Sequence, residues 1–413
     1  MKQIRITARI LIGLVFIFSG FVKGVDPMGS AIKFTEYFEV FHLGGLESIS
    51  LALAIILSTA EFIIGISLVV GLRMRVTAWA ALLFMVFFTL LTLYSAIANP
   101  VTDCGCFGDA LVLTNWQTFY KNVVLLALAV VVFINHSQYK PYSCCLAEWG
   151  LVALFAACMV SISVYGVRHL PILDFRPYHV GANIPSDMVI PEGAPAPVYE
   201  STLYYKKNGV TKEFSLQNFP ANDTTWQFVD SKSKLIKEGY IPPIRNFSIV
   251  QEDGLDITEQ VLSDNNYSFI FISPDLRKVS FKAWEKIKGI QKFAEANGYK
   301  FYFLTGSTQD MVVSLKTQWS LNFSFSFTDV TTLKTINRAN PGMMLLKEGT
   351  ILGQWNVLDI PKAEIFKGNM LSAAITKYYK EVEQKRILLL LSLLILSFVT
   401  IWFCKRRDKC CTQ

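Results

Sequence analysis

The stretch LALAIILSTAEFIIGISLVV, residues 51–70, carries one ionisable group, Glu61, among apolar and small side chains. As a helix it rises about 30 Å, the thickness of a bilayer's hydrocarbon core, so it reads as a membrane crossing. Five more stretches read the same way: Ile6 to Val22, Val76 to Ile97, Val123 to Ile134, Leu151 to Val167, and Ile387 to Phe403. The segment from Val123 is the shortest and draws on Trp116 to Asn122 for length. With 413 residues and 17% charged side chains and a mean hydropathy of +0.38, the chain is too apolar for an ordinary soluble protein and long enough for two domains.

Lys and Arg in the short connections set the orientation, because they are retained on the cytoplasmic side. Lys2 with Arg5, Arg73 with Arg75, Lys140, and Lys405 with Arg406 and Arg407 all fall on one side. Lys23 and Lys33 oppose the trend. The expectation is a multi-pass protein of the cell membrane with both termini cytoplasmic. Residues 168–386 then lie outside, in the periplasm if the cell is Gram-negative. Lys23-Gly24-Val25-Asp26 is no small-residue cleavage site, so the first span reads as retained rather than as a secretion signal. The net charge of +7 is partly the anchoring residues, and no nucleic-acid signature is present.

This topology divides the eight cysteines. Cys104 and Cys106 fall outside. Cys144, Cys145, Cys410 and Cys411 fall in the reducing cytoplasm, where paired cysteines stay thiols. Cys158 and Cys404 sit in or at the end of spans, as small buried hydrophobes. The outer segment between Cys158 and Cys404 has no cysteine and therefore no thiol chemistry of its own.

Cys104 and Cys106 lie within Asp103-Cys104-Gly105-Cys106-Phe107-Gly108-Asp109, a polar gap between two apolar runs. A pair with one residue between can close a disulfide only through a tight bend, which Gly105 permits. A small strained ring is a good electron acceptor. Asp103 and Asp109 are expected to raise thiol pKa values, against a nucleophilic role. Three readings stand: redox chemistry at Cys104 and Cys106, a structural turn or staple, and a metal held by two thiolates and two carboxylates. The last is the weakest, since no histidine is near and the spacing is a poor metal signature. No metal site is assigned.

The segment from Ile4 to about Asn135 resembles the DoxX/MauE group of four-helix membrane proteins. Three features carry the resemblance: the first helix from Arg9 through Ser19-Gly20 to Lys23; Glu61 and the helix end Val70-Gly71-Leu72-Arg73; and the Asp-Cys-Gly-Cys-Phe-Gly-Asp run followed by Asn115-Trp116 and Lys121-Asn122. The last looks like the MauE branch. The resemblance implies a membrane component of the maturation of disulfide-containing extracytoplasmic proteins, linked in its founding branch to methylamine utilisation. The long outer segment departs from the minimal family member.

A carboxylate near mid-membrane faces the bundle interior and is a functional-site candidate by default. Glu61 is expected to pair with Lys23 or Lys121, and these three with Asn122 form an intramembrane candidate set. A packing group that fixes helix register is the equal alternative. Trp116, Tyr94 and Tyr120 read as interfacial anchors.

The expected layout is a four-helix membrane domain over 1–140, a fifth transmembrane helix at 148–167, and a linker over 168–197. An extracytoplasmic domain follows at 198–385, then a last transmembrane helix at 387–404 and a cytoplasmic tail at 405–413. Pro171 to Pro197, rich in proline and glycine, reads as a surface linker. Strand-like alternation follows in Val198 to Ile249, with a turn at Asn208-Gly209. From Tyr267, strands alternate with helices, which indicates a partly parallel sheet: strands at Tyr267–Ile272, Lys300–Leu304, Phe323–Phe327, Met343–Lys347 and Ile351–Trp355, helices at Val279–Asn297, Asp310–Trp319 and Thr331–Arg338. A last helix, about Pro361 to Gln384, leads into the membrane.

From about residue 250 this order resembles the thioredoxin fold, in which a proline at the place of Pro341 is commonly cis beside the active site. Ile272-Ser273-Pro274-Asp275-Leu276-Arg277-Lys278 then stands where a redox-active member carries Cys-X-X-Cys, and both cysteines are missing. The resemblance implies a redox-inactive α/β domain that binds a partner around Pro274, Asp275 and Pro341, or caps the membrane part.

The leading expectation is a component of extracytoplasmic thiol-disulfide exchange. Cys104 and Cys106 would exchange with a soluble thioredoxin-like partner or a secreted client, and a quinone held between the helices would take the electrons, although no quinone motif is present. The alternative is a non-enzymatic scaffold or assembly factor, with the Cys-X-Cys loop only structural.

Overall fold

The computed structural model describes residues 2–101, 103–139, 145–207, 209–220, 223–237, 239–245 and 247–366, and beyond these 372, 375, 376, 379, 380, 382–390 and 394. The sixth expected span lies largely outside the described residues, as do Cys144, Cys404, Cys410 and Cys411 and the basic residues after Phe403.

Among the described residues five helices are long and apolar enough to cross a membrane. They correspond to α1 (Lys2–Val25), α3 (Ser50–Val70) with the 3-10 turn Gly44–Ile49 before it, α4 (Met74–Ala98), α5 (Asn115–Ile134) and most of α6 (Cys145–His169). Leu83, Phe87 and Leu90 of α4 are exposed on one face, as suits contact with lipid. Glycine sets the approach of α1 to α3: a Cβ at Gly65 would stand 2.6 Å from the Ile17 nitrogen, and one at Gly20 2.5 Å from that of Phe62. Small residues that admit a neighbouring backbone are the usual contact between membrane helices. Thr114 and Gln117 form a capping box, so α5 starts at Asn115, and Trp116 to Asn122 supply the length that Val123 to Ile134 lacks.

The connection after α1 contains a further helix, α2 (Pro27–Val40). The Asp26 carboxylate caps it, accepting from the Gly29 amide at 3.0 Å, and Pro27 occupies its first turn, as the preferences of helix N-termini require. Tyr37 of α2 is buried.

The expected surface linker is a correction. Ile172, Tyr178, Ala182 and Ile184 are buried, and the short helix α7 (Ile184–Met188) follows. The Gly181 amide donates to the Ile351 carbonyl at 2.8 Å and the Ile184 amide to that of Gly349 at 2.9 Å. Proline and glycine gave the stretch a loop-like composition, but Tyr178, Ala182 and Ile184 find a sheet to pack against, and Ile172 packs on Val25, Met159 and Ile162 of α1 and α6. Only the later part, Val189 to Pro195, is largely exposed.

Two sheets follow. The smaller is antiparallel, β1 (Val198–Lys207), β2 (Val210–Ser215) and β3 (Gln227–Lys237), in the order β2-β1-β3. Asn208 of the expected turn lies outside the described residues, while Gly209 has φ +84°. The larger sheet has six strands interleaved with helices: β4 (Val250–Gln251), α8 (Thr258–Leu262), β5 (Ser268–Ser273), α9 (Phe281–Ala296), β6 (Lys300–Thr305), α10 (Gln309–Trp319), β7 (Phe325–Phe327), α11 (Val330–Ile336), β8 (Gly342–Lys347) and β9 (Thr350–Asn356). Their spatial order is β4-β7-β6-β5-β8-β9. The pairs β5–β6 and β6–β7 are parallel; β5–β8, β8–β9 and β4–β7 are antiparallel.

Every residue of β5 is buried, as a central strand covered on both faces should be. Phe269 and Phe271 point into one core with Trp284 and Phe303. Ile270 and Ile272 point into the other with Ile184, Leu333 and Met344. The Asn340–Pro341 peptide is cis. Of the expected last helix, a 3-10 turn at Ala363–Phe366 and helical residues at 382–390 are described, and much of the rest lies outside the described residues.

Candidate functional site

Cys104 and Cys106 lie in the loop between α4 and α5, which folds back onto the helix bundle. Asn115 ties its ends, donating to Asn99 Oδ1 and to the Val101 carbonyl, both at 2.8 Å. The Ser19 hydroxyl of α1 donates to the Cys106 carbonyl at 2.7 Å. Phe107 is buried against Phe18, ring centroids 5.5 Å apart, and the Lys121 ammonium lies 4.2 Å from its ring centre. Gly105 has φ +64°, and a Cβ there would come within 3.0 Å of Lys33 Cγ. Both the backbone conformation and the space call for glycine.

The bend brings the two sulfurs to 3.6 Å, within one hydrogen bond. Closing from there to the ~2.05 Å of a disulfide is a small displacement. The Tyr37 hydroxyl donates to Cys104 Sγ at 3.5 Å and makes a second hydrogen bond to Ser95 Oγ at 3.1 Å.

The two thiols are driven apart electrostatically. Cys106 is pulled below the ordinary thiol range, first by the hydrogen bond with Cys104, against the cost of burial, and then by the ammonium groups of Lys121 and Lys23. Cys104 is pushed well up, by the hydrogen bond that leaves the proton with it, by burial and by the negative charge on Cys106. A thiol lowered by neighbouring cations is what an activated cysteine requires. Burial and the adjacent Cys104 push the Tyr37 hydroxyl up as well, so Tyr37 stays a donor.

The expected effect of the flanking carboxylates is corrected here. Asp103 is paired with Lys33 at 3.1 Å and also accepts the Gly105 amide at 3.0 Å. Asp109 is paired with Arg338 at 2.6 Å. Asp103 is engaged by Lys33, and Asp109 shares Arg338 with Asp26; the charges that act most on Cys106 are Lys121 and Lys23, which lower it, and Glu61, which raises it.

The intramembrane candidates converge on the same place. Lys23 forms an ion pair with Glu61, while Lys121 takes the Phe107 ring. The Asn122 amide donates to Thr92 Oγ1 at 3.2 Å. All four residues, together with Cys104 and Cys106, line one cavity of about 340 Å³ inside the helix bundle. The mid-membrane charge of Glu61 singles it out in the sequence, with Lys23 and Lys121 as its candidate partners. Tyr37, Lys33 and Arg338 were not anticipated. The one local signal for them was Asp26-Pro27, which marks the start of a helix and so places Lys33 and Tyr37 on a structured element.

The candidates in the α/β region are placed differently. Ser273 and Asp275 are held to the β8 entrance: the Ser273 hydroxyl bonds Asn340 Oδ1 at 2.6 Å, and the Asn340 amide donates to the Asp275 carbonyl at 2.9 Å. Asp275 also pairs with Arg277 at 2.9 Å. Pro274 is half-buried, whereas Pro341 is buried. The loop before it carries Arg338, whose guanidinium bonds Asp26 Oδ2 at 2.8 Å and Asp109 Oδ2 at 2.6 Å. A second link joins His169, at the end of α6, to Asp359 at 2.8 Å.

Comparison with known proteins matches two separate stretches of the chain. No solved structure matches it. Residues 199–238, which hold most of β1 to β3, match a family described as a domain of unknown function (DUF8463). Protein TlpB of Flavobacterium psychrophilum is 32% identical over 135 residues, which are 32% of this chain and 37% of that protein. The similarity therefore covers well under half of either chain. The family model described as methylamine utilisation protein MauE matches residues 1–135, and this membrane part of the chain, with the Cys-Gly-Cys loop inside it, is a MauE-family domain.

Proposed function

We propose that the protein is a membrane component of thiol-disulfide exchange whose working pair is Cys104 and Cys106. The observation that carries this is the pair itself: two sulfurs at 3.6 Å, one of them beside two lysines that favour its thiolate. A structural staple has no need of that asymmetry. Exchange uses it, because a thiol of low pKa is the better leaving group.

In the oxidised pair, a partner's thiolate attacks Cys104 Sγ, the Cys104–Cys106 bond breaks, and Cys106 leaves as a thiolate facing Lys121. The partner's second thiol then attacks its own half of the mixed disulfide and releases Cys104. The partner loses two electrons and two protons, and the pair gains them. The distribution of positive residues in the connections supports an extracytoplasmic place for this loop and the α/β region.

The C-terminal α/β region supports the reading as a redox-inactive, thioredoxin-like module. Its strand order is mixed, its cis proline stands next to the end of β5, and the chain from Ser273 to Lys278 has no cysteine. Its loop at Arg338 is bound to the membrane domain of the same chain, so it serves as a cap over the Cys loop. A soluble thioredoxin-like protein or a secreted client would approach beside that cap.

Trapping tests the proposal. In cells expressing Cys106→Ser, Cys104 should accumulate as a mixed disulfide with a partner, and the Cys104→Ser/Cys106→Ser chain should trap none. If no mixed disulfide forms and the wild-type thiols never change state after reductant and recovery, the loop is a structural turn and the protein a scaffold.

A further inference from the structure

Exchange at Cys104 and Cys106 needs somewhere for the electrons to go, and the inference here rests on that reading. The cavity behind the two cysteines lies inside the helix bundle, between α1, α2, α3, α4 and α5, and its volume of about 340 Å³ falls in the ~300–1,000 Å³ range of small-molecule sites. Most of its wall is apolar, including Phe16, Leu57, Phe84 and Phe88.

Its polar groups are a minority of the wall; Ser19, Ser30, Lys33, Tyr37 and Ser58 are among them. Cys104 and Cys106 close one wall, Lys121 and Asn122 stand on α5, and the Lys23–Glu61 pair bridges α1 and α3. A ligand that fits this lining is flat and apolar, accepts hydrogen bonds from ammonium groups, and reacts with thiols by taking two electrons. A lipid acyl chain fills apolar space but offers no acceptor to Lys121 and gives no reason for sulfurs in the wall.

We propose that the cavity is a quinone site, in which the ring lies against the Cys104–Cys106 pair with its carbonyl oxygens toward Lys121 and Lys23. The reduced pair gives up two electrons and two protons and forms its sulfur–sulfur bond. The quinone takes both electrons and both protons and becomes the quinol. Lying within the membrane-spanning part, the site is suited to a carrier dissolved in the bilayer, and the soluble partner never needs to meet it. The Lys23–Glu61 pair supplies a carboxylate and an ammonium that can hold and pass a proton at the cavity wall.

The test uses the full chain in nanodiscs of synthetic phospholipid, reduced with a dithiol, desalted without oxygen, and mixed with menadione as the probe. Menadiol formation is followed by absorbance and free thiols by alkylation mass shift. One disulfide should form per menadione reduced. Leu57→Trp, which puts an indole into the cavity, should slow menadione reduction about tenfold more than it slows oxidation by glutathione disulfide, the loss expected for ~1.4 kcal/mol of binding. As a measurement independent of that variant's folding, a photoreactive azidonaphthoquinone should label the Cys104→Ser/Cys106→Ser chain on cavity-lining residues, in competition with menadione.

Thiols that exchange with glutathione disulfide but ignore menadione overturn the quinone site and leave the exchange reading standing. Equal menadione rates in wild type and Leu57→Trp, or labelling confined to the lipid-facing surface, also overturn it, as does a bound phospholipid that menadione does not displace. Thiols inert to both oxidants overturn the exchange reading itself.

Discussion

Arg338, on the loop entering β8, donates from Nη2 to Asp109 at 2.6 Å, and Asp109 ends the seven-residue segment that holds the two cysteines. The same guanidinium reaches Asp26, the cap of α2. One side chain of the α/β region therefore holds two elements that frame the Cys loop. Arg338 is buried while Asp109 is partly exposed. Loss of water from the part of the carboxylate turned toward Arg338, with the Asp26 carboxylate beside it, outweighs the guanidinium and leaves the Asp109 carboxyl above its ordinary range.

Arg338→Met should therefore loosen the cap without unfolding either part. The expected loss is about 2 kcal/mol, the scale of hydrogen bonds to a charged group and less than a fully buried pair would give, because Asp109 meets solvent. Amide hydrogen exchange should speed up in the segment 103–109 and at the start of α2, and a maleimide should reach Cys106 faster. Arg338→Lys should restore little, since an ammonium cannot serve two carboxylates as a fork does. Unchanged exchange in both segments would show that the contact does not hold the cap.

The thiol asymmetry predicts a pH profile. Alkylation follows the thiolate fraction, so the rate at Cys106 should rise with pH and level off below the ~8.5 midpoint of an ordinary thiol. The shift is downward, which means the reactive form is present at neutral pH and is lost as pH falls through the lowered value. Lys121→Met removes one of the two cations that favour the thiolate, so it should move the midpoint up and reduce the neutral-pH rate several-fold. A stopped-flow alkylation profile of each chain at constant ionic strength decides it. Identical midpoints would mean that Lys121 only packs on Phe107.

Much of this architecture can be read from the residues, because helix and strand periods are local properties. The span at residues 51–70 and the strand read from Tyr267 to Ile272 appear in the structure as α3 and β5. Pro171 to Met188 misled for a physical reason: proline and glycine report turn geometry, and they say nothing of whether Tyr178 and Ile184 have a sheet to bury against. The carboxylates beside the cysteines misled in a similar way. Asp103 and Asp109 look like a negative field along the chain, but their partners Lys33 and Arg338 are 70 and 229 positions away. Charge pairing at that separation has no local signature. The convergence of Lys23, Glu61, Lys121 and Asn122 on one cavity was legible in residue type and in the expectation that a membrane carboxylate faces inward.

Gly105 provides a test of loop geometry separate from loop chemistry. Gly105→Ala forces a side chain into a left-handed conformation at φ +64° and against Lys33, at a cost of about 1–2 kcal/mol. That is too little to unfold the bundle and enough to part the sulfurs. The disulfide yield after mild oxidation, read by alkylation mass shift, should fall while the thermal midpoint in detergent changes by only a few degrees. If yield and midpoint are both unchanged, the bend is not what brings Cys104 to Cys106.

The Lys23–Glu61 pair should behave as one unit. Glu61→Leu leaves the Lys23 ammonium nearly buried without its carboxylate, and Lys23→Met leaves Glu61, which is 5% exposed, without its cation. Each single change should cost about 3 kcal/mol, the lower end for one partner of a buried pair, because Lys23 retains some contact with solvent. Lys23→Met/Glu61→Leu removes both charges and fills the space, so it should recover most of that loss. The thermal midpoint of the full chain in one detergent gives all four corners of the cycle. A double variant no more stable than either single change would show that the two charges act independently, and would place Glu61 in contact with a group other than Lys23.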